Sequence, residues 1–144
     1  MPSPQIDPRG QQFAAAITSV VLVAVLLTAP GPLGIALLAA QAALFATAVA
    51  RGVQRTPTAA LFRKAVRPRL APPAHLEDPE PPRFAQGVGL VFALVALVGF
   101  LSGVTPLGYV ATGFALVAAL LNAVFAFCLG CEVYLLVRRF IATV

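Results

Sequence analysis

Two cysteines, Cys128 and Cys131, stand near the end of the chain in FCLGCEVYLLVRRF, Phe127 to Phe140, and the sequence contains no others. On a helix, residues three apart share a face at about 5–6 Å, a separation that a disulfide can bridge. A thiolate at one position can attack an accepting sulfur. The other cysteine can then resolve the mixed intermediate within the same molecule, and the spacing leaves open which one leads. Glu132 follows four residues after Cys128 on much the same face. It either accepts a proton from Cys128 or, when ionised, disfavours the neighbouring thiolate. Cys128, Cys131 and Glu132 are therefore the candidate catalytic residues.

Three neighbours bear on this trio. Gly130 predicts a break, after which CEVYLLVRRF starts a new short helix with Cys131 near its N-terminus and Arg138 and Arg139 at its C-terminus. Asn122, about 120° from Cys128 on an uninterrupted helix, suits a helix–helix hydrogen bond, and Gln41 suits the same role in the first half. Tyr134 reads as an interfacial anchor whose hydroxyl reaches the cysteines if the helix bends. The competing reading packs cysteine as a small hydrophobe and makes the chain a non-catalytic accessory or structural subunit of a membrane complex. A metal reading needs more ligands than one pair supplies, so zinc or an iron–sulfur cluster would require ligands from another chain. His75, the sole histidine, reads as a solvated loop residue. No cofactor is expected from this chain's own residues.

The elements that must carry these residues are set by composition. Of the 144 residues, 60% are hydrophobic and 10% are charged, against about 25% charged in soluble domains, which places the chain among membrane proteins. Four apolar stretches, about 13–29, 33–50, 88–104 and 109–129 with extension toward 137, each approach the roughly 20 residues of a membrane-crossing helix. The expected fold is one all-α unit over 1–144, with four transmembrane helices in two consecutive hairpins. The formal net charge is +5, but no nucleic-acid-binding motif accompanies it; anionic phospholipids are the expected partner. All ten Lys and Arg residues fall on one side of a four-span arrangement. By the positive-inside rule both termini and the segment 51–87 face the cytoplasm, in a protein integral to the cytoplasmic membrane.

Segment 51–87 has structure of its own. Thr56 suits a helix N-cap, Pro57 its first position and Pro68 its stop, predicting an amphipathic helix over 57–67. Phe62 would sit among acyl chains, with Arg63, Lys64 and Arg67 among phosphates. The proline-rich RPRLAPPAHLEDPEPPRF predicts an extended strap. DPRGQQFAAA and PPRFAQGVG echo each other, as do GPLGIAL and TPLGYVA, which suggests a parallel internal repeat. Small residues at Ala36, Ala40 and Ala43 and at Gly87, Gly99 and Gly103 are the expected helix–helix contacts.

DPRGQQFAAAITSVVL, FRKAVRPRL, LEDPEPPRFAQGVGLVFAL and FCLGCEVY together resemble the DUF4395 family of small actinobacterial integral membrane proteins. The resemblance covers nearly the whole chain. It brings no established activity; family members found near thioredoxin-like and sulfurtransferase-like proteins imply a sulfur or redox setting and partners of those kinds, in a membrane oligomer or larger complex. It carries over to Asp7, Pro8, Arg9, Arg67, Pro68, Pro82, Arg83, Phe84, Cys128, Cys131 and Glu132, with Arg9, Arg67 and Arg83 as site support. The combined expectation is a cytoplasm-facing thiol–disulfide exchange or sulfur-transfer protein. In a background lacking the native cysteines, single-cysteine probes in 51–87 should react only from the cytoplasm, and probes near Gly31 and Pro106 from outside; the reverse pattern would overturn the orientation.

Overall fold

A computed structural model describes residues 5–143, so positions 1–4 and 144 of the expected unit lie outside the described residues. The fold is all-α: α1 (Pro8–Thr28), α2 (Pro32–Arg51), α3 (Pro57–Leu61), α4 (Glu80–Leu101), α5 (Thr105–Phe125) and α6 (Leu129–Thr143). Among the described residues, four helices, α1, α2, α4 and α5, are long and apolar enough to cross a membrane. In hydrocarbon every peptide group must be paired within the segment, and a helix does this without help from a neighbour.

Each span starts where the chain supplies the right local chemistry. Asp7 caps α1 and Pro8 opens it; α2 and α5 likewise carry proline in their first turn, where the missing N–H would have had no partner. The same reason corrects the expected strap. Pro81 and Pro82 do not keep the chain extended but fill the first turn of α4, which begins at Glu80 rather than near Val88, and the Asp78 carboxylate accepts the Glu80 N–H at 2.9 Å.

The four spans close a ring in which α1 packs on α2 and α5, and α4 packs on the same two helices. The contacts do not divide the chain into two separate hairpins. Leu22, Val25, Leu38, Phe45, Ala96 and Phe100 form the centre. On α2 the buried face is Gly34, Leu38, Gln41, Phe45 and Ala48. The expected stripe of Ala36, Ala40 and Ala43 faces outward, because large side chains on the opposite face are what fill the ring. At Gly99 a Cβ would come within 2.7 Å of the Gly108 backbone N, so α4 and α5 touch there through backbone. Gly103 instead serves the turn with φ +86°. Gln41 Nε2 donates to Thr18 Oγ1 at 3.3 Å, the interhelical bond expected of it.

At the other end of the spans the interhelical segment folds onto the bundle. Thr56 Oγ1 accepts the Ala59 N–H at 3.2 Å, so the cap and Pro57 start α3 as anticipated. The helix then changes to a π turn over Phe62–Val66 and a 3-10 turn over Arg67–Arg69. Phe62 is not a lipid anchor: it is 4% exposed, lies 5.8 Å from the Phe13 ring, and faces Gly10, where a Cβ would meet it at 3.3 Å. Arg63, Lys64 and Arg67 are exposed. The tight α1 surface at Gly10 and Phe13 took Phe62 instead of lipid.

The strap is tied back by α1. Ile6 and Glu77 form an antiparallel bridge with both N–H···O distances 2.8 Å. Asp7 accepts from Arg9 through both carboxylate oxygens, at 2.8–3.3 Å, and Arg9 Nη2 also donates to Ala71 O at 2.9 Å. The Arg9 fork holds the Asp7 carboxyl below its ordinary range, against desolvation, with smaller help from the Arg9 N–H and from Arg67. A carboxylate with a lowered folded pKa contributes stability above its unfolded value of about 3.9 and loses it as pH falls through the folded value. Asp7→Asn should therefore free the strap at pH 7, with protease cleavage within 70–79 about tenfold faster. That difference should vanish once the pH is low enough to protonate Asp7 in the wild type.

Candidate functional site

Helix α5 stops inside what sequence periodicity presents as one apolar run. Ala126 adopts the left-handed conformation, φ 55° and ψ 25°, and its N–H reaches Asn122 O at 3.0 Å while Phe127 N–H reaches Leu121 O at 3.2 Å. A third terminal carbonyl, Ala123 O, is satisfied from another helix by Gln12 Nε2 at 3.1 Å. These bonds pair carbonyls that α5 would otherwise leave open. The break thus lies at Ala126–Cys128 and not at Gly130, which sits in the first turn of α6. A continuous fourth helix reaching 137 is replaced by two helices.

Gly130 has a different reason to be glycine. A Cβ there would lie 2.5 Å from Ala85 Cβ and 2.6 Å from Ala85 Cα, so α6 rests on α4 at nearly backbone contact. One turn further, Tyr134 packs on Phe84 with centroids 5.5 Å apart, and Arg138 stands over the Tyr134 ring at 5.8 Å. Tyr134 is therefore a clamp between α6 and α4, and it lines a different surface from the cysteines.

This seating places the sulfur pair. Cys128 and Cys131 are joined as a disulfide with Cα atoms 5.1 Å apart. Cys128 occupies the position before α6, and its Sγ accepts the Cys131 N–H at 3.2 Å. The bond and the positive end of the helix dipole would both favour a thiolate on Cys128 once the disulfide is reduced. The pair opens on a cleft of about 390 Å³ bounded by Arg9, Gln12, His75, Glu77, Gln86 and Asn122, among others. His75, read from sequence as a plain loop residue, hydrogen-bonds Glu77 at 3.3 Å and lines the same cleft as both cysteines. The strap brings it there, and no local sequence signal announces it.

The other candidates divide. Asn122 makes no helix–helix hydrogen bond; its side chain lines the cleft beside Cys128, because the break at Ala126 turns the cysteines back toward the bundle. Arg9 borders the cleft with its charge shared with Asp7. Arg67 lies near Asp7 on the far side of α1. Arg83 donates to Val49 O at 2.7 Å and secures the end of α2, away from the sulfurs. Glu132 is exposed in the first turn of α6 and does not line the cleft. Among the described residues no cluster of three or more His, Cys, Asp or Glu side chains is arranged to hold a metal.

A family model described as a domain of unknown function, DUF4395, matches residues 6–139. No curated protein and no solved structure matches the chain.

The break and the helix contact make opposite demands on small residues. Ala126→Gly should relieve about 1 kcal/mol of left-handed strain and raise the thermal midpoint in detergent. Gly130→Ala should destabilise the fold by about 1–3 kcal/mol and lower that midpoint, and adding Ala85→Gly should restore little of the loss, because the new Cβ would still stand 2.6 Å from the residue 85 Cα. A destabilising Ala126→Gly, or a Gly130→Ala that behaves as wild type, would contradict this account of how α6 is seated.

Proposed function

Because the chain belongs to the DUF4395 family, whose description names no activity, function must be read from the site, and we propose that the protein is a membrane thiol–disulfide exchange protein working through Cys128 and Cys131. The observation that carries the proposal is the placement of a disulfide at the N-terminus of α6, with one sulfur already accepting a helix N–H, on the wall of an open polar cleft. A disulfide serving only packing has no need of that polarity or access.

The chemistry balances with a partner dithiol. One partner thiolate attacks Cys131 Sγ, the Cys128–Cys131 bond breaks, and Cys128 leaves as a thiolate stabilised by the Cys131 N–H and the helix dipole. The second partner thiol attacks the mixed disulfide and releases Cys131. The partner is then a disulfide and this chain a dithiol, with the two protons passed to the released sulfurs through the cleft. Run in reverse, the same steps reduce a partner. A lower pKa makes Cys128 the better leaving group, which assigns the roles that spacing alone leaves open. Glu132, exposed nearby, contributes negative charge that opposes the thiolate, so we assign it no acid–base step.

All ten basic residues belong to the cleft end, including Arg138 and Arg139 of α6. By the positive-inside rule this end faces the cytoplasm, where thioredoxin-like dithiols would be the chemically suitable partners. The amphipathic α6 exposes Leu135, Leu136 and Ile141; with its two arginines it suits the surface of an anionic bilayer.

Reversible titration of the purified protein against a dithiol should interconvert two states differing by two electrons and one intramolecular link. In Cys131→Ser, Cys128 should be alkylated with a midpoint below the usual thiol value of about 8.5, whereas Cys131 in Cys128→Ser should lie closer to it. A pair inert to dithiols, or equal midpoints in the two variants, would return the cysteines to a packing role in an accessory subunit.

A further inference from the structure

Behind the disulfide lies a second hollow of about 280 Å³, reaching from the α6 junction into the bundle between α4 and α5. Its walls are apolar and aromatic: Phe45, Phe92 and Phe114, with small residues at Gly89, Ala115, Ala118 and Ala119. Gly89 keeps it open beside Phe45, since a Cβ there would stand 2.8 Å from the ring. Phe114 and Val133 on its border are themselves exposed on the outer face, at 62% and 42%, so the hollow communicates with the surface that α4 and α5 present to lipid.

Four residues are shared by this hollow and the polar cleft: Ala85, Gln86, Asn122 and Cys128. Cys131 borders the cleft alone. The disulfide thus stands at a partition, with Cys131 lining the water-accessible cleft and Cys128 lining both the cleft and the apolar cavity. The side-chain amides of Gln86 and Asn122 stand in the same partition. Among the described residues neither makes a hydrogen bond, so both are free to donate.

We infer that the apolar cavity binds the headgroup of a membrane-dissolved quinone, which exchanges two electrons with the dithiol form of Cys128 and Cys131. The inference rests on the proposed exchange function and supplies its electron acceptor. Three features select this occupant. The volume, about 280 Å³, falls just below the about 300–1,000 Å³ of whole small-molecule sites and suits one ring whose isoprenoid tail stays in lipid. The amides of Gln86 and Asn122 can donate to quinone carbonyls, whereas an acyl chain would leave them unpaired. The cysteine on the shared wall, Cys128, is the one favoured as thiolate. In the reaction the two thiol S–H bonds break, the Cys128–Cys131 bond forms, and two electrons and two protons pass to the quinone oxygens, giving a quinol and the disulfide. The partner's dithiol then reduces the disulfide from the cleft side, so the two substrates never meet.

Intact protein in phosphatidylcholine nanodiscs, reduced anaerobically and freed of reductant, should convert one equivalent of a short-chain benzoquinone to quinol while its disulfide re-forms. Ala119→Phe, which fills the cavity without touching the cleft, should slow this step at least about tenfold yet leave exchange with a soluble dithiol unchanged. An azido-benzoquinone photolabel on wild-type protein, displaced by unlabelled quinone, should map to 85–92 and 114–122, which secures the test should the variant fail to fold. Dithiol exchange without quinol formation, quinol formation indifferent to Ala119→Phe in a folded variant, or labelling elsewhere would overturn the quinone site and leave the exchange function standing. A pair that reacts with neither dithiol nor quinone would overturn both.

Discussion

A peptide group without a hydrogen-bond partner is costly in hydrocarbon, by several kcal/mol, and the whole arrangement of this chain follows from where it obeys or relaxes that rule. Four helices satisfy it alone across the apolar region. Where α5 ends early, the open carbonyls are paired by Ala126, Phe127 and, across the bundle, by Gln12. The chain can therefore stop one helix and start another without abandoning polar backbone. That restart creates the helix N-terminus on which Cys128 sits. The redox character proposed for the pair depends on this break more than on the cysteine spacing.

Close backbone approach is the second determinant. Gly99 against Gly108 joins α4 to α5, and Gly130 against Ala85 seats α6 on α4. In a membrane, where apolar side chains gain nothing by leaving lipid for another apolar surface, such contacts supply packing that area burial cannot. They also leave room. The small residues that let α6 approach Ala85 end where Gly89, Ala115 and Ala118 begin, and the apolar hollow behind the disulfide occupies that space. On the other side of the disulfide, part of the cleft wall is built by the strap, fastened through Asp7, Arg9 and the Ile6–Glu77 bridge, which carries His75 to the cleft.

Much of this was legible in the residues. Hydropathy and length marked four spans and Thr56-Pro57 marked a helix start, because caps and first-turn prolines act within a few residues; the Asp7-Pro8 start of α1 lies ahead of the apolar run that marked it from about 13. The cysteine spacing permitted a disulfide for the same local reason. Proline misled at 81–82, where a run that breaks helices internally is tolerated in a first turn. Small-residue spacing also misled: Ala36, Ala40 and Ala43 satisfy the pattern yet face out, since the pattern does not say which side of α2 meets the ring. Glycine at 130 suggested a hinge, but its backbone is helical and its smallness serves a neighbour.

By itself, then, the sequence determined the class of protein, the number and approximate course of the spans, the collection of positive charge at one end, and a cysteine pair close enough to bond. Those properties arise from composition and from interactions between residues near in the chain. Only the tertiary structure decided that Ala126 and not Gly130 carries the break, that Phe62 turns inward onto Gly10 and Phe13, that His75 and Asn122 border the sulfurs while Glu132 does not, and that Cys128 divides a polar cleft from an apolar hollow. Each of these depends on residues 40 to over 100 positions apart meeting in the bundle. Local propensity carries no record of such meetings, because their energy exists only once the ring of helices has closed.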